Sequence, residues 1–132
     1  MKKVFQIVLL TVAVFAVSCK KDNLSKNSTA NSPVIGQWQI SSFVDNGSDE
    51  TSKFAAYTFV FDGNDHLEIK GGMMMSMCNW TFTDSVYHFN MMGMHSDALN
   101  NLDDDWRLMS YSYTTCTFVS NNHDRTFIML RL

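Results

Sequence analysis

The sequence of 132 residues lacks the short motifs by which catalytic and nucleotide-binding sites are usually recognised. It contains no Gly-x-Ser-x-Gly nucleophile elbow and no glycine-rich phosphate loop. The four histidines, His66, His88, His95 and His123, do not have the spacing of a zinc site, and Cys-x-x-Cys is absent. Nothing in the sequence favours an enzyme, and no cofactor is expected.

Basic residues are also scarce. Without Lys2 and Lys3, 8 Lys and Arg residues face 13 Asp and Glu residues, which leaves a net charge of −5. An acidic chain without a basic stripe argues against nucleic acid as a partner. The acidic run at 103–105 lacks the glycine and later glutamate of an EF-hand loop and is interpreted as a solvated link.

Long apolar runs are limited to residues 4–17, which follow the basic pair Lys2-Lys3. This run is shorter than the roughly 20 residues that span a bilayer, and it fits a secretory signal. It ends in Ala16-Val17-Ser18-Cys19, which resembles the lipobox of bacterial lipoproteins. The resemblance implies that residues 1–18 are removed and that Cys19 carries a diacylglycerol anchor. The alternative is an ordinary cleaved signal with a free cysteine beside it.

Residues 19–33 form the lipidated cysteine and a polar tether with one large apolar residue, Leu24. Such a segment buries too little surface to offset the entropy of ordering it. The Cys-Lys-Lys-Asp start is similar to lipoproteins of the Bacteroidetes group, in which acidic residues after the cysteine can direct surface display. Asp22 is the only acidic residue there, so the periplasmic face of the outer membrane and the cell surface both stay open.

From residue 34 to 132 the pattern is typical of one all-β domain. Apolar and polar residues alternate in about eight short runs separated by turn signals such as Asp62–Asp65. A break in parity near Ser41 predicts a β-bulge. One short helix is expected near 96–102, with Ser96 as a candidate N-cap. This spacing predicts a small antiparallel up-and-down β-barrel.

Gly36-Gln37-Trp38 at the start of the first strand resembles the Gly-x-Trp motif of lipocalins. There an arginine near the last strand packs on the tryptophan, and of Arg125 and Arg131 we prefer Arg131. Trp80 and Asp105-Trp106 occupy the places of further tryptophan strands in lipocalin-like Bacteroidetes lipoproteins. The resemblance covers residues 34–132. It departs at Met77-Cys78-Asn79, where that family usually has a glycine.

The resemblance implies a fold more than an activity. An eight-stranded barrel is just wide enough to be filled by side chains or to hold one small ligand. The leading hypothesis is non-catalytic binding of a small apolar ligand, and the alternative is a filled core in an envelope module that binds a protein partner. The candidate ligand-binding residues are Trp38, Tyr57, Phe59, Phe61, Trp80, Tyr87, Phe89 and Trp106.

Methionine is concentrated in two clusters within residues 73–94. Thioether, thiolate and imidazole are ligands that select Cu(I). A second alternative is therefore a Cu(I) or Ag(I) site, although methionine more often fills gaps or lines adaptable apolar surfaces. The residues of that hypothesis are Met75, Met77, Cys78, Met92, Met94 and His95.

Two cysteines follow Cys19, namely Cys78 and Cys116. Outside the cytoplasm such a pair can form a disulfide, provided that the two strands lie close enough. Two buried free thiols are the alternative.

Overall fold

The structure is a computed structural model that describes residues 31–71, 74–91 and 96–132. Within these residues nine strands follow one another, together with one α-helical turn, α1 (Asp97–Asn100), and a 3-10 turn, Thr51–Phe54. The strands are β1 (Gly36–Asp45), β2 (Ser48–Asp49), β3 (Tyr57–Phe61), β4 (His66–Gly71), β5 (Met74–Thr83), β6 (Val86–Asn90), β7 (Asp105–Tyr111), β8 (Thr115–Ser120) and β9 (Arg125–Arg131).

Eight of these strands close into an antiparallel barrel in which each strand pairs with its sequence neighbour and β9 pairs with β1. The two-residue strand β2 only folds back on the end of β1. The predicted all-β barrel is confirmed. Closure pairs Trp38 with Arg131 and Asp45 with Arg125, so neither the first nor the last long strand is left as a free edge.

The alternation seen in the sequence has its expected physical cause, because successive side chains of a strand point to opposite faces. Phe59 and Phe61 are buried on β3, and Leu67 and Ile69 are buried on β4. The predicted bulge is confirmed, since the pairing of β1 with β9 shifts register between Ile40 and Ser42. The shift allows Phe43 to turn inward after Ile40.

The predicted short helix is confirmed and spans one turn, Asp97–Asn100. Ser96 stands at its N-cap position, but its side chain makes no capping hydrogen bond. The serine hydroxyl is instead 3.4 Å from the hydroxyl of Tyr57. One local prediction needs correction. The acidic link is only partly solvated, because Asp104 forms an ion pair with Arg125 and Asp105 begins β7.

The barrel has two ends. The N-terminal end carries the start of β1, the end of β9 and the hairpins β3–β4, β5–β6 and β7–β8. The helix end carries the 3-10 turn, α1 and the β8–β9 hairpin. Residues 32–35 cross the N-terminal end, where Val34 is fully buried. Ser32 and Pro33 are also hydrogen-bonded at this end, to Tyr87 and Arg131 respectively.

Candidate functional site

The barrel interior, where a carrier would hold its ligand, is occupied by the protein's own rings. Seven of the eight candidate ligand-binding residues each expose 2% or less of their surface, and the eighth, Tyr57, is half-buried. The seven buried residues are Trp38, Phe59, Phe61, Trp80, Tyr87, Phe89 and Trp106. The structure thus places the predicted set inside the barrel, where its members belong to the hydrophobic core.

Ring-to-ring contacts run across the whole interior. Phe61 meets Trp80 edge-on at 5.6 Å between centroids, and Trp80 stacks on Tyr87 at 6.0 Å. Tyr87 then contacts Phe118 at 5.5 Å, and Phe118 stacks on Phe127 at 4.8 Å. These separations lie in the range of favourable aromatic pairs. The side chains that could have lined a cavity therefore pack against one another.

The N-terminal end is closed by Trp38 and Arg131, the pair that the sequence resemblance brings together. The Arg131 guanidinium carbon lies 4.2 Å from the centre of the Trp38 ring. The same guanidinium donates to the carbonyls of Ile35 at 2.9 Å, Pro33 at 3.3 Å and Tyr113 at 2.6 Å. The indole N–H of Trp38 donates to the Val34 carbonyl at 2.6 Å. Residues 33–35 are thereby fixed across the end of the barrel.

Gly36 is required at this point for two reasons. Its φ of +132° is a conformation that side-chain-bearing residues rarely adopt. A Cβ atom here would also lie 2.2 Å from Nη1 of Arg131. The absence of a side chain lets the arginine approach the backbone and reach the Trp38 ring.

The helix end repeats this arrangement with Trp106 and Arg125. The Trp106 indole N–H donates to the carbonyl of Leu102 at 3.0 Å, four residues earlier, as Trp38 does to Val34. The guanidinium carbon of Arg125 lies 5.6 Å from the Trp106 ring centre. Arg125 also donates to the Asn101 carbonyl at 2.8 Å and pairs with Asp104. Both arginines named from the sequence therefore stack on tryptophan, each at a different end.

Phe54, in the 3-10 turn, adds to the closure of the helix end. Its ring lies 4.6 Å from that of Phe43 and is fully buried. Sequence reasoning missed this residue, because a single apolar side chain between Lys53 and Ala55 shows no periodicity.

A surface pocket of about 230 Å³ opens at the N-terminal end, between the β5–β6 and β7–β8 hairpins. Its walls are Pro33, Phe82, Ser85, Tyr87, Leu108 and Tyr111. Of these only Tyr87 was predicted, and Pro33 was assigned to the tether. The pocket is smaller than the 300–1,000 Å³ typical of sites for drug-sized ligands. It offers space for a short apolar group.

Tyr87 links this pocket to the core. Its hydroxyl forms a 2.8 Å hydrogen bond with the Ser32 hydroxyl, and burial raises the pKa of the Tyr87 phenol. The phenol therefore stays neutral at physiological pH and acts as a structural hydrogen-bonding group.

The two cysteines on the described strands are buried free thiols, so the candidate Cys78–Cys116 disulfide is not formed. Cys78 lies on β5 and Cys116 on β8, and β6 and β7 separate these strands in the sheet. Burial raises the pKa of Cys116 to about 11 and also raises that of Cys78. Both groups stay protonated near neutral pH, which makes them poor nucleophiles.

The hypothetical soft-metal set is divided between the two faces of β5. Met75 and Met77 are 69% and 65% exposed on the outer face, whereas Cys78 points inward. These three sulfurs cannot meet at one ion, which corrects the prediction for this part of the set. Met92, Met94 and His95 lie outside the described residues. Within residues 31–71, 74–91 and 96–132, no cluster of three His, Cys, Asp or Glu side chains could hold a metal ion.

The described histidines lie on the surface. His88 forms a 2.7 Å contact with Asp105, and His66 contacts Asp62 at 3.2 Å. His123 contacts the carbonyl of Asn121 in its own turn. These are separate pairs on the outer surface, each with a local partner, and they do not converge on a common point.

The chain matches no family model, no curated protein and no solved structure. Across the described parts of the chain, no helix is both long and apolar enough to cross a membrane. The predicted signal peptide, Cys19 and most of the tether lie outside the described residues.

Proposed function

We propose that this chain is a lipid-anchored, non-catalytic binding domain of the cell envelope, which engages a protein partner through the outer face of its barrel. The observation that carries the proposal is the filled interior, in which buried aromatic rings occupy the space of a carrier's ligand. The lipid anchor on Cys19 and the lipocalin-like relationship enter as expectations from the sequence.

The outer face offers apolar contact area. Met75 and Met77 project from β5 beside the register partners Lys70 and Glu68 of β4. Those two charged residues form an ion pair at 3.1 Å, so the thioethers border a locally neutral surface. Flexible methionine side chains adapt to a partner's shape, and methionine is enriched at protein interfaces.

A photocrosslinking experiment in cells tests this proposal. A benzophenone amino acid replaces Met77 in one variant and Asn122, an exposed turn residue, in the control. We expect one discrete crosslinked protein from position 77 and none from position 122. Equal labelling at both positions, or no discrete product from position 77, contradicts a partner at this face.

A small apolar ligand at the barrel mouth is the second candidate, and the pocket of about 230 Å³ beside Tyr87 favours it. Native mass spectrometry of the mature protein tests for a bound organic molecule. An added mass that disappears in the Leu108→Lys variant, and persists in the Met77→Lys control, would assign the ligand to this pocket. That result would replace the protein-partner proposal with a carrier.

A further inference from the structure

We propose that the N-terminal end of the barrel rests on the phospholipid surface that holds the anchor, with the β7–β8 hairpin against the lipid headgroups. This inference depends on the lipid anchor of the proposed function and adds an orientation to it. The contact residues are Tyr111, Tyr113 and Leu132.

The first observation is the apolar surface at this end. Tyr113 is 83% exposed, Tyr111 66% and Leu132 64%. The three belong to one region, because Arg131 donates to the Tyr113 carbonyl and the neighbouring Leu132 N–H donates to Gln37. Tyrosine, with an apolar ring and a polar hydroxyl, is the type of residue that prefers the boundary between lipid and water.

The second observation is the distribution of charge among the three hairpins of this end. The β3–β4 hairpin carries Asp62 and Asp65, and the β5–β6 hairpin carries Asp84. The β7–β8 hairpin, residues 112–114, carries no charged side chain. Moving a carboxylate towards lipid costs far more than moving a tyrosine hydroxyl. The uncharged β7–β8 hairpin is therefore the part of this end that contacts the lipid headgroups. The guanidinium of Arg131, which donates to the Tyr113 carbonyl, supplies positive charge beside it.

The third observation is the attachment of residues 32 and 33, which follow the tether, to this end of the barrel. Ser32 and Pro33 are held at this same end by Tyr87 and Arg131. Eleven residues, 20–30, separate Cys19 from Asn31. Even fully extended, this length spans only about 40 Å. The anchor thus keeps the N-terminal end close to the bilayer, and docking requires only a short approach.

Methionine side chains at both ends of the barrel and in its core can serve as NMR probes for a test. Met109 lies on β7, two residues from Tyr111, and is 62% exposed. Met75 and Met77 lie near the start of β5, towards the helix end. Met91 and Met129 are each 1% exposed and report whether the core is intact.

The experiment uses the mature lipidated protein in nanodiscs of phosphatidylcholine and phosphatidylglycerol, in a three-to-one mixture, with a gadolinium chelate on a fraction of the headgroups. Carbon-13-labelled methionine methyl groups are observed by NMR. We expect the paramagnetic relaxation of Met109 to exceed that of Met75 several-fold. Combined Tyr111→Ser and Tyr113→Ser substitutions should lower the Met109 relaxation several-fold towards that of Met75, while the shifts of Met91 and Met129 stay unchanged.

The matched control is Met75→Ser, which removes exposed apolar surface from the helix end and should leave the Met109 relaxation unchanged. Equal relaxation of Met109 and Met75 in the native protein overturns the docking proposal. So does a difference that persists undiminished in the double tyrosine variant, because the tether alone would then account for it. The intact mass decides the anchor separately: a protein without diacylglycerol on Cys19 refutes the anchor itself.

Discussion

Replacing Arg131 with methionine removes the charge that lies over Trp38 and keeps an unbranched chain of similar length. The substitution deletes three hydrogen bonds to the carbonyls of Pro33, Ile35 and Tyr113, together with the cation–π contact at 4.2 Å. A hydrogen bond to a charged group contributes about 1.5–3 kcal/mol, and a cation–π contact about 0.5–1 kcal/mol at a solvated site.

Arg131 is half-buried and water can replace part of its bonding, so we expect a loss of about 3 kcal/mol in the free energy of unfolding. For a domain of this size the loss corresponds to a fall in Tm of about 15 °C. Urea unfolding of residues 20–132, followed by tryptophan fluorescence, measures it. The control is Arg107→Met, which deletes one exposed hydrogen bond to Asn121 and should cost about 0.5 kcal/mol or less. An Arg131→Met loss no larger than the control would refute the closing role of this residue.

Three further predictions follow from the packing. Gly36→Ala should lower the free energy of unfolding by at least about 1 kcal/mol more than Gly47→Ala in the same assay. Both glycines have positive φ, but only at Gly36 would the added methyl group contact Arg131. Equal losses would show that backbone strain alone is responsible. Because the pKa of Cys116 is raised by burial from 9.0 to about 11, the folded protein holds the thiol proton longer than the unfolded chain. The contribution of the protonated thiol to the free energy of unfolding is complete below pH 9 and is lost as the pH rises to about 11. Cys116→Ala should therefore lose less stability between pH 8 and pH 11 than the native protein. Parallel curves of stability against pH for the two proteins would contradict this. Phe89→Ala should cost about 3–5 kcal/mol and create an apolar cavity. Benzene should then raise the Tm of this variant but not of the native barrel, and equal effects on both would argue against a filled interior.

The sequence was sufficient to predict the barrel because each strand has one buried and one exposed face. The alternation of Phe59 and Phe61 with Thr58 and Val60 records this directly. The break in parity before Phe43 likewise predicted the bulge that the register shows. Closure itself is favoured because an open sheet would leave unpaired backbone N–H and C=O groups along its two edge strands.

Whether the interior is open or filled could not be predicted. The same aromatic residues can line a cavity or pack together, and the choice depends on ring orientations such as the edge-on approach of Phe61 to Trp80. The candidate disulfide between Cys78 and Cys116 was not formed for a related reason. Alternation places both cysteines inside the barrel, but it does not show whether their strands are neighbours. Phe54 was missed because its burial arises from a turn that folds over the barrel end.

The pairing of β9 with β1 has a consequence for how the chain reaches its native state. Arg131 bonds to Ile35 across 96 residues of sequence, so the contact that closes the barrel is among the most distant in the chain. Proteins dominated by such non-local pairing fold in milliseconds to seconds, far more slowly than helical bundles. During synthesis the first strand emerges long before its partner exists, and its unpaired edge stays open to aggregation throughout that interval. We expect a chain that stops before residue 125 to have no stable barrel, whatever the quality of its first seven barrel strands.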